Sequence, residues 1–254
     1  VRQLTEKERL VDMTTVNASG KHHKTDKLPQ KITDQLTDTE NEQLKVLTNY
    51  VYDRLNNDPS GHDWWHIYRV VCLANQIVSQ ENGDRFIVLL AALVHDVIDD
   101  KLVNDPKLAE KALEAELSRV GLSEKQVTAI MIIITNMSYR KSLDHKNHSL
   151  SIEGQIVQDA DRLDANGAMG IVRTMIYGGH KGHILYDPSN PARDTMTLEE
   201  YKHGSVTTIN HLYEKIIHLK DLMNTKTGKK LAEGRHQYLL DFLEEFHAEW
   251  DGLR

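Results

Sequence analysis

The chain has 254 residues, with 31 Lys and Arg against 38 Asp and Glu, a net charge of −7 and 39% hydrophobic residues. That length supports one domain or two small ones, with a core large enough to need no staples. The acidic balance argues against broad nonspecific nucleic-acid binding. The longest apolar run, residues 86–94, falls far short of the ~18 residues a membrane span needs. The polar N-terminus shows no apolar signal segment. Cys72 is the one cysteine; it sits in an apolar helical pattern and reads as a buried thiol, so a reducing, cytoplasmic location is expected.

Residues 1–40 are polar, rich in Thr, Lys, Asp and Gln, and carry no sustained hydrophobic period. They are expected to form a flexible tail. Residues 41–254 read as helix after helix. Leu44, Leu47, Val51 and Leu55 share one face, and Asp58-Pro59 ends the pattern. Ile67, Val70, Val71, Ala74 and Ile77 form the next stripe, which stops by Gly83. Asp84 is the expected N-cap of a helix running to about residue 99, apolar nearly all round and therefore central. Asp105-Pro106 opens another helix and Gly121 closes it. Ser123 with Gln126 is a capping box, which favours helix over strand for the β-branched block at 130–134. Two more helices are expected at 151–163 and 165–177. A loop at 178–194 follows, as either a lid or a plain connection. Thr197 with Glu200 is a capping box for a long helix to about residue 223, and a last helix spans about 227–250. No alternating strand pattern or repeat is present, so the expectation is one all-α domain with a polar N-terminal tail.

With 14 histidines in the chain, about one His-Asp dipeptide arises by chance, so the pairs at 62–63 and 95–96 need a setting to carry meaning. His95-Asp96 ends the apolar run, where polar groups need partners. At helical spacing Asp99 shares a face with His95 and Asp96, and Asp100 lies one turn from Asp96. Either a divalent cation compensates this cluster, or Asp99 and Asp100 cap a solvated helix end. His66 shares a stripe with Val70, Leu73 and Ile77 and points inward. Asp159 and Asp161 both can face inward, and periodicity does not choose between them.

The order His66, then His95-Asp96 closing an apolar helix, then Ala160-Asp161-Arg162-Leu163 resembles the HD superfamily of metal-dependent phosphohydrolases. The surrounding texture agrees: His66-x-x-Arg69-Val70 and Ala91-Ala92-Leu93-Val94-His95-Asp96. The longer strings at 61–66, 159–165 and 210–215 resemble a bacterial subgroup of small all-helical HD proteins. The resemblance implies an HD-domain helical bundle and assigns one divalent metal to His66, His95, Asp96 and Asp161. Asp159 is left in a supporting role. Two imidazoles and two carboxylates suit Mn first, with Mg, Co, Ni, Fe or Zn as alternatives. Asp99 and Asp100 occupy the acidic positions of the HDxxED pattern of HD hydrolases acting on guanosine polyphosphates, with Asp in place of Glu. They are the expected general base and leaving-group acid.

Phosphate requires cations around so acidic a site, and Arg69, Lys101, His211 and Lys215 are the candidates. Arg162 and Arg173 read as ion-pair partners, Trp64 and Trp65 as core, and His62 and Asp63 as groups at the site's mouth. The resemblance implies a phosphorylated small-molecule substrate, a nucleotide, with cleavage of a nucleoside triphosphate to monophosphate and pyrophosphate through a metal-activated water. A di-iron oxygenase using His145 and His148 and a noncatalytic nucleotide-sensing scaffold are the alternatives. No membrane or stable nucleic-acid partner is expected, and a homodimer is left open.

Overall fold

The computed structural model describes residues 27–59, 61–99, 102–103, 105–139, 149–193 and 207–254. The chain divides into two compact units, Val1–Gln35 and Leu36–Arg254. In the first, the described residues form one turn of helix, α1 (Gln30–Thr33), with Gln30 donating to Asp34. Among the described residues, all regular structure is helical.

In the second unit α2 spans Asp38–Leu55, α3 Trp64–Val78, α4 Arg85–Val94, α5 Pro106–Arg119 and α6 Glu124–Asn136. They are followed by α7 (Ile152–Asp164), α8 (Gly167–Lys181), α9 (Thr208–Glu214), a 3-10 turn (Ile216–Lys220) and α10 (Lys226–Trp250). Side chains close most N-termini. Asp63, Asp84 and Asp105 each accept from a backbone amide of the first turn, and Thr37–Glu40 and Ser123–Gln126 form reciprocal boxes. Each such cap stabilises its helix by about 1 kcal/mol. Because Thr37 caps α2, that helix begins ahead of the expected boundary at residue 40.

Every residue of α4 from Phe86 to Val94 is buried, as its all-round apolar sequence requires. The helices α2, α3, α6 and α7 pack around it. A second cluster, Ile171, Ile209, Leu212, Ile216, Leu219, Leu239 and Leu243, joins α8, α9, the 3-10 turn and α10. Helix α7 contacts both groups, packing on α3, α4 and α6 on one side and on α8 and α10 on the other.

Three further element boundaries differ from those expected. Helix α4 stops at Val94 rather than near residue 99. Beyond it the chain winds more tightly, with Val97 N bonded to Val94 O and Asp99 N to Asp96 O. The His95 ring meanwhile bonds the Ala92 carbonyl, which a continuing helix would use for its own amide. Helix α8 runs on to Lys181, through Gly178 and Gly179. Gly178 is not a breaker: a Cβ there would lie 2.3 Å from Thr208 Oγ1, so glycine permits close approach to α9. The helix expected to reach residue 223 breaks at Lys215 (φ −131°). A 3-10 turn replaces it and buries Ile216 and Leu219 three residues apart. The Thr197–Glu200 capping box lies outside the described residues.

The described part of the expected loop is strapped down rather than free. Thr208 N and Ile209 N donate to the Ile184 and Leu185 carbonyls, and Asn210 donates to the Asn190 carbonyl. Tyr186 packs edge-on against Phe246 and Trp250, and Arg193 pairs with buried Glu214.

Candidate metal centre

Helix α3 presents His66 inward because Ile67, Val70, Ala74 and Ile77 bury the same side of the helix. His95 and Asp96 follow the last turn of α4, and Asp161 comes from α7. The tight packing of α3, α4 and α7 brings these four residues to one point. His66 Nε2 lies 3.2 Å from His95 Nε2, 3.3 Å from Asp96 Oδ2 and 3.5 Å from Asp161 Oδ1. His95 Nε2 lies 3.2 Å from Asp96 Oδ1 and 3.8 Å from Asp161 Oδ1. Of the four side chains Asp161 is the most open, at 36% exposure against 1% for His66.

The protonation pattern of the imidazoles follows from their partners. His95 Nδ1 meets the Ala92 carbonyl oxygen at 2.8 Å, and a carbonyl only accepts. His66 Nδ1 meets Asp164 Oδ2 at 2.7 Å. Both Nδ1 atoms are therefore donors, and both neutral rings turn an Nε2 lone pair toward the other. Two lone pairs facing at 3.2 Å, beside two carboxylates, require a positive centre among them. A proton on one ring supplies part of that charge, and a divalent cation supplies more. The donor separations also suit ligands placed about 2.1 Å around one centre. The side chains thus fit a cation.

Electrostatics point the same way. Burial alone would raise the Asp96 carboxyl, but the neighbouring His95 and His62 and the hydrogen bonds of His62 and His66 hold it well below the usual carboxylate range. Burial and the Arg173 charge depress His66, yet its hydrogen bonds to Asp164 and Asp96 outweigh them and leave it above the ordinary histidine value. Asp164 is buried, which opposes ionisation, but bonds from His66 and Arg69 keep it ionised far below its ordinary value.

Asp164 has no assigned role in the sequence reading. Its carboxylate accepts Arg69 Nε at 2.7 Å and Arg69 Nη2 at 3.0 Å, with Arg173 Nη1 at 3.2 Å. Arg69, expected to meet phosphate, is therefore held on Asp164, and Arg173 is the ion-pair partner its sequence context suggested. Asp159 is fully buried and accepts from Asn224 N, Asn224 Nδ2, Thr225 N and Thr225 Oγ1, all at 2.8 Å. It is occupied with closing the start of α10, which leaves Asp161 to face the two imidazoles. Arg162 donates to the Leu222 carbonyl.

The remaining expected residues are placed as follows. Asp99 lies in the tight turn after Asp96, where its carbonyl accepts from Leu102 N and Val103 N; it is not on a continuing helical face with His95. Asp100, Lys101, His145 and His148 lie outside the described residues. His211 sits on α9 and is not a member of either group of possible metal ligands found among the described residues. Lys215 is at the C-cap of α9, its ammonium 4.9 Å above the Tyr139 ring. Trp64 is core, edge-on to Tyr52, but Trp65 is 51% exposed. Asp63 caps α3 through His66 N, and His62 Nδ1 meets Asp96 Oδ2 at 3.0 Å.

Among the described residues two sets of possible ligands emerge, His66–His95–Asp161 and His62–His66–Asp96. They share the same His66 nitrogen, since its Nδ1 is committed to Asp164. They therefore describe one centre rather than two.

Comparison with known proteins bears on this site. The HD domain family model matches residues 64–166, a span holding His66, His95, Asp96, Asp161 and Asp164. YpgQ of Bacillus subtilis is 38% identical over 83% of this chain and 95% of its own length. The chain belongs to the HD superfamily. Among solved structures, a protein of Lactobacillus plantarum is 42% identical over 86% of this chain and all of that one, with a TM-score of 0.76. An HD-superfamily hydrolase of Bacillus thuringiensis is 40% identical over 84% of this chain and 98% of its own, with a TM-score of 0.66. The crystal structure of YpgQ in complex with ADP matches 83% of this chain and 96% of that one, at 37% identity and a TM-score of 0.68. Within the matched span the His-Asp pair is His95-Asp96, and no described helix is long and apolar enough to cross a membrane.

Proposed function

We propose that this protein is a divalent-metal-dependent phosphohydrolase acting on nucleotides, cleaving a nucleoside triphosphate to monophosphate and pyrophosphate. The observation that carries the reading is the pair of facing Nε2 atoms of His66 and His95, 3.2 Å apart beside Asp96 and Asp161, with both Nδ1 atoms already donating. A hydrolase reaction is supported by the Bacillus thuringiensis relative, an HD-superfamily hydrolase, and a nucleotide by the ADP complex of YpgQ.

His66, His95, Asp96 and Asp161 would hold the metal, and Mn is our first choice among the divalent ions that take mixed nitrogen and oxygen ligands. A divalent ion there supplies Lewis acidity toward a phosphoryl oxygen and acidifies a water at neutral pH. The chain's own groups do the rest. Asp96 and Asp161 balance the charge. Asp164 and the Ala92 carbonyl fix the two imidazoles in the tautomer that binds metal. Asp161, the most exposed of the four, marks the side from which substrate arrives. Asp99 and Asp100 are assigned to take the proton of the attacking water and to protonate the departing phosphate oxygen. Because Arg69 is held by Asp164, the phosphate contacts are assigned to Lys101, His211 and Lys215.

The test is a screen of metal-stripped protein reloaded separately with Mn, Mg, Co and Fe and given nucleoside mono-, di- and triphosphates. Metal-dependent release of pyrophosphate from triphosphates is expected. Release of phosphate alone would contradict the bond assigned. Silence with every nucleotide would contradict the reading as a whole.

A further inference from the structure

His62 precedes the region matched by the HD domain model, and neither the metal set nor the substrate contacts assigned above include it. We propose that His62 is a positioning residue of the metal centre, holding the Asp96 carboxylate in the rotation that serves the cation. The inference rests on reading the His/Asp cluster as a cation site.

Asp96 faces three imidazoles. Its Oδ1 lies 3.2 Å from His95 Nε2, while its Oδ2 lies 3.3 Å from His66 Nε2 and 3.0 Å from His62 Nδ1. A short carboxylate on a tight turn rotates easily about its last bond. His62 Nδ1, at hydrogen-bonding distance from Oδ2, opposes that rotation and keeps Oδ1 on the His95 side. A carboxylate only accepts, so this Nδ1 carries a hydrogen and offers no lone pair to a metal.

The turn that carries His62 is built to hold it. Gly61 adopts φ +90°, a conformation that a residue with a Cβ resists. The Gly61 carbonyl accepts Arg173 Nε at 3.0 Å, and His62 N donates to Asp58 Oδ1 at 3.4 Å. Asp63 is fixed in turn as the cap of α3, accepting from His66 N at 3.0 Å. Arg173 also reaches Asp164 Oδ2 at 3.2 Å. One guanidinium thus braces both the turn that presents His62 and the carboxylate that orients His66. His62 is the most exposed of the three rings, at 17% against 1% and 3%, so its removal leaves the core intact.

The experiment is titration calorimetry of the full chain with Mn alone, for wild type, His62→Ala and His62→Asn, with pulsed EPR on the bound Mn to count imidazole nitrogens. Circular dichroism confirms the helical fold of each variant. His62→Ala is expected to weaken Mn binding by about 10–100-fold, the usual effect of removing a group that orients a ligand. Asn places its amide nitrogen near the former Nδ1, so His62→Asn is expected to recover most of that loss. The imidazole count is expected to be two in every protein. Wild-type affinity in His62→Ala would overturn the proposal, as would His62→Asn binding no better than His62→Ala. Three imidazoles in wild type falling to two in His62→Ala would make His62 a ligand instead of a positioning residue. Failure of the wild type itself to bind Mn would overturn the metal centre, and the inference with it.

Discussion

Asp164 accepts the Nδ1 hydrogen of His66 at 2.7 Å while the Arg69 guanidinium grips the same carboxylate with two bonds. A single buried carboxylate therefore decides which nitrogen His66 turns toward the centre, and two arginines keep that carboxylate charged. Replacing it by Asn keeps the shape and removes the charge, leaving Arg69 and Arg173 without their counter-ion. Asp164→Asn is expected to cost about 3–5 kcal/mol of stability, the range for breaking a buried ion pair, measured by urea unfolding of metal-free protein. A loss under about 1 kcal/mol, the scale of an exposed pair, would contradict this role.

The same residue predicts a pH dependence. The folded-state pKa of Asp164 is depressed, so its contribution is complete above the unfolded carboxyl value of about 3.9 and is lost as pH falls from there toward the folded value. The stability gap between wild type and Asp164→Asn should widen from neutral pH to about pH 5, as His66, which Asp164 helps hold above the ordinary histidine value, takes up its proton, and shrink below about pH 4, as Asp164 itself is protonated. Unfolding midpoints across that range check it. A gap that went on widening below about pH 4 would have the wrong sign for Asp164.

Two adjacent glycines in α8 should respond oppositely to alanine. At Gly178 a Cβ would lie 2.3 Å from Thr208 Oγ1 and 2.9 Å from its Cγ2. Gly178→Ala is expected to lose about 1–3 kcal/mol through overpacking. At Gly179 no atom of the described residues, beyond its chain neighbours and the helix's own backbone, lies within 4 Å of the added carbon. Gly179→Ala is expected to gain about 0.5–1 kcal/mol from helix propensity. Thermal unfolding of both variants decides it, and equal shifts would contradict the close contact between α8 and α9.

Much of this architecture was legible in the sequence, because its signals are local. The apolar run before His95 identified the central helix, and the Ser123–Gln126 pair marked a true capping box. His66, His95 and Asp96 stood out by residue type on inward faces. What was not legible depends on contacts between distant segments. Asp164 looks like any helix-end aspartate until Arg69, 95 residues away, closes on it. Periodicity left Asp159 and Asp161 equal, and the residues that occupy Asp159, Asn224 and Thr225, come from the start of α10. The expected loop starts at Gly178 because sequence shows a missing side chain and not the neighbour that requires it to be missing. At the end of α4 the His95 ring bonds the Ala92 carbonyl, a local contact that hydrophobic periodicity does not record.

Proton transfer supplies a further prediction for the acidic pair after the centre. Asp100→Asn should keep metal affinity and lower turnover by about 10²-fold or more, the scale of lost acid-base assistance. Steady-state kinetics with parallel metal titration separates the two effects. Unchanged turnover would remove Asp100 from the mechanism.

The most direct measurement is anomalous diffraction from crystals grown with Mn, collected for wild type and His95→Ala. The account predicts one strong peak in wild type, within bonding distance of His66 Nε2, His95 Nε2, Asp96 and Asp161, and its loss in His95→Ala. A wild-type map with no peak among those four side chains, or a peak unchanged by His95→Ala, would contradict it.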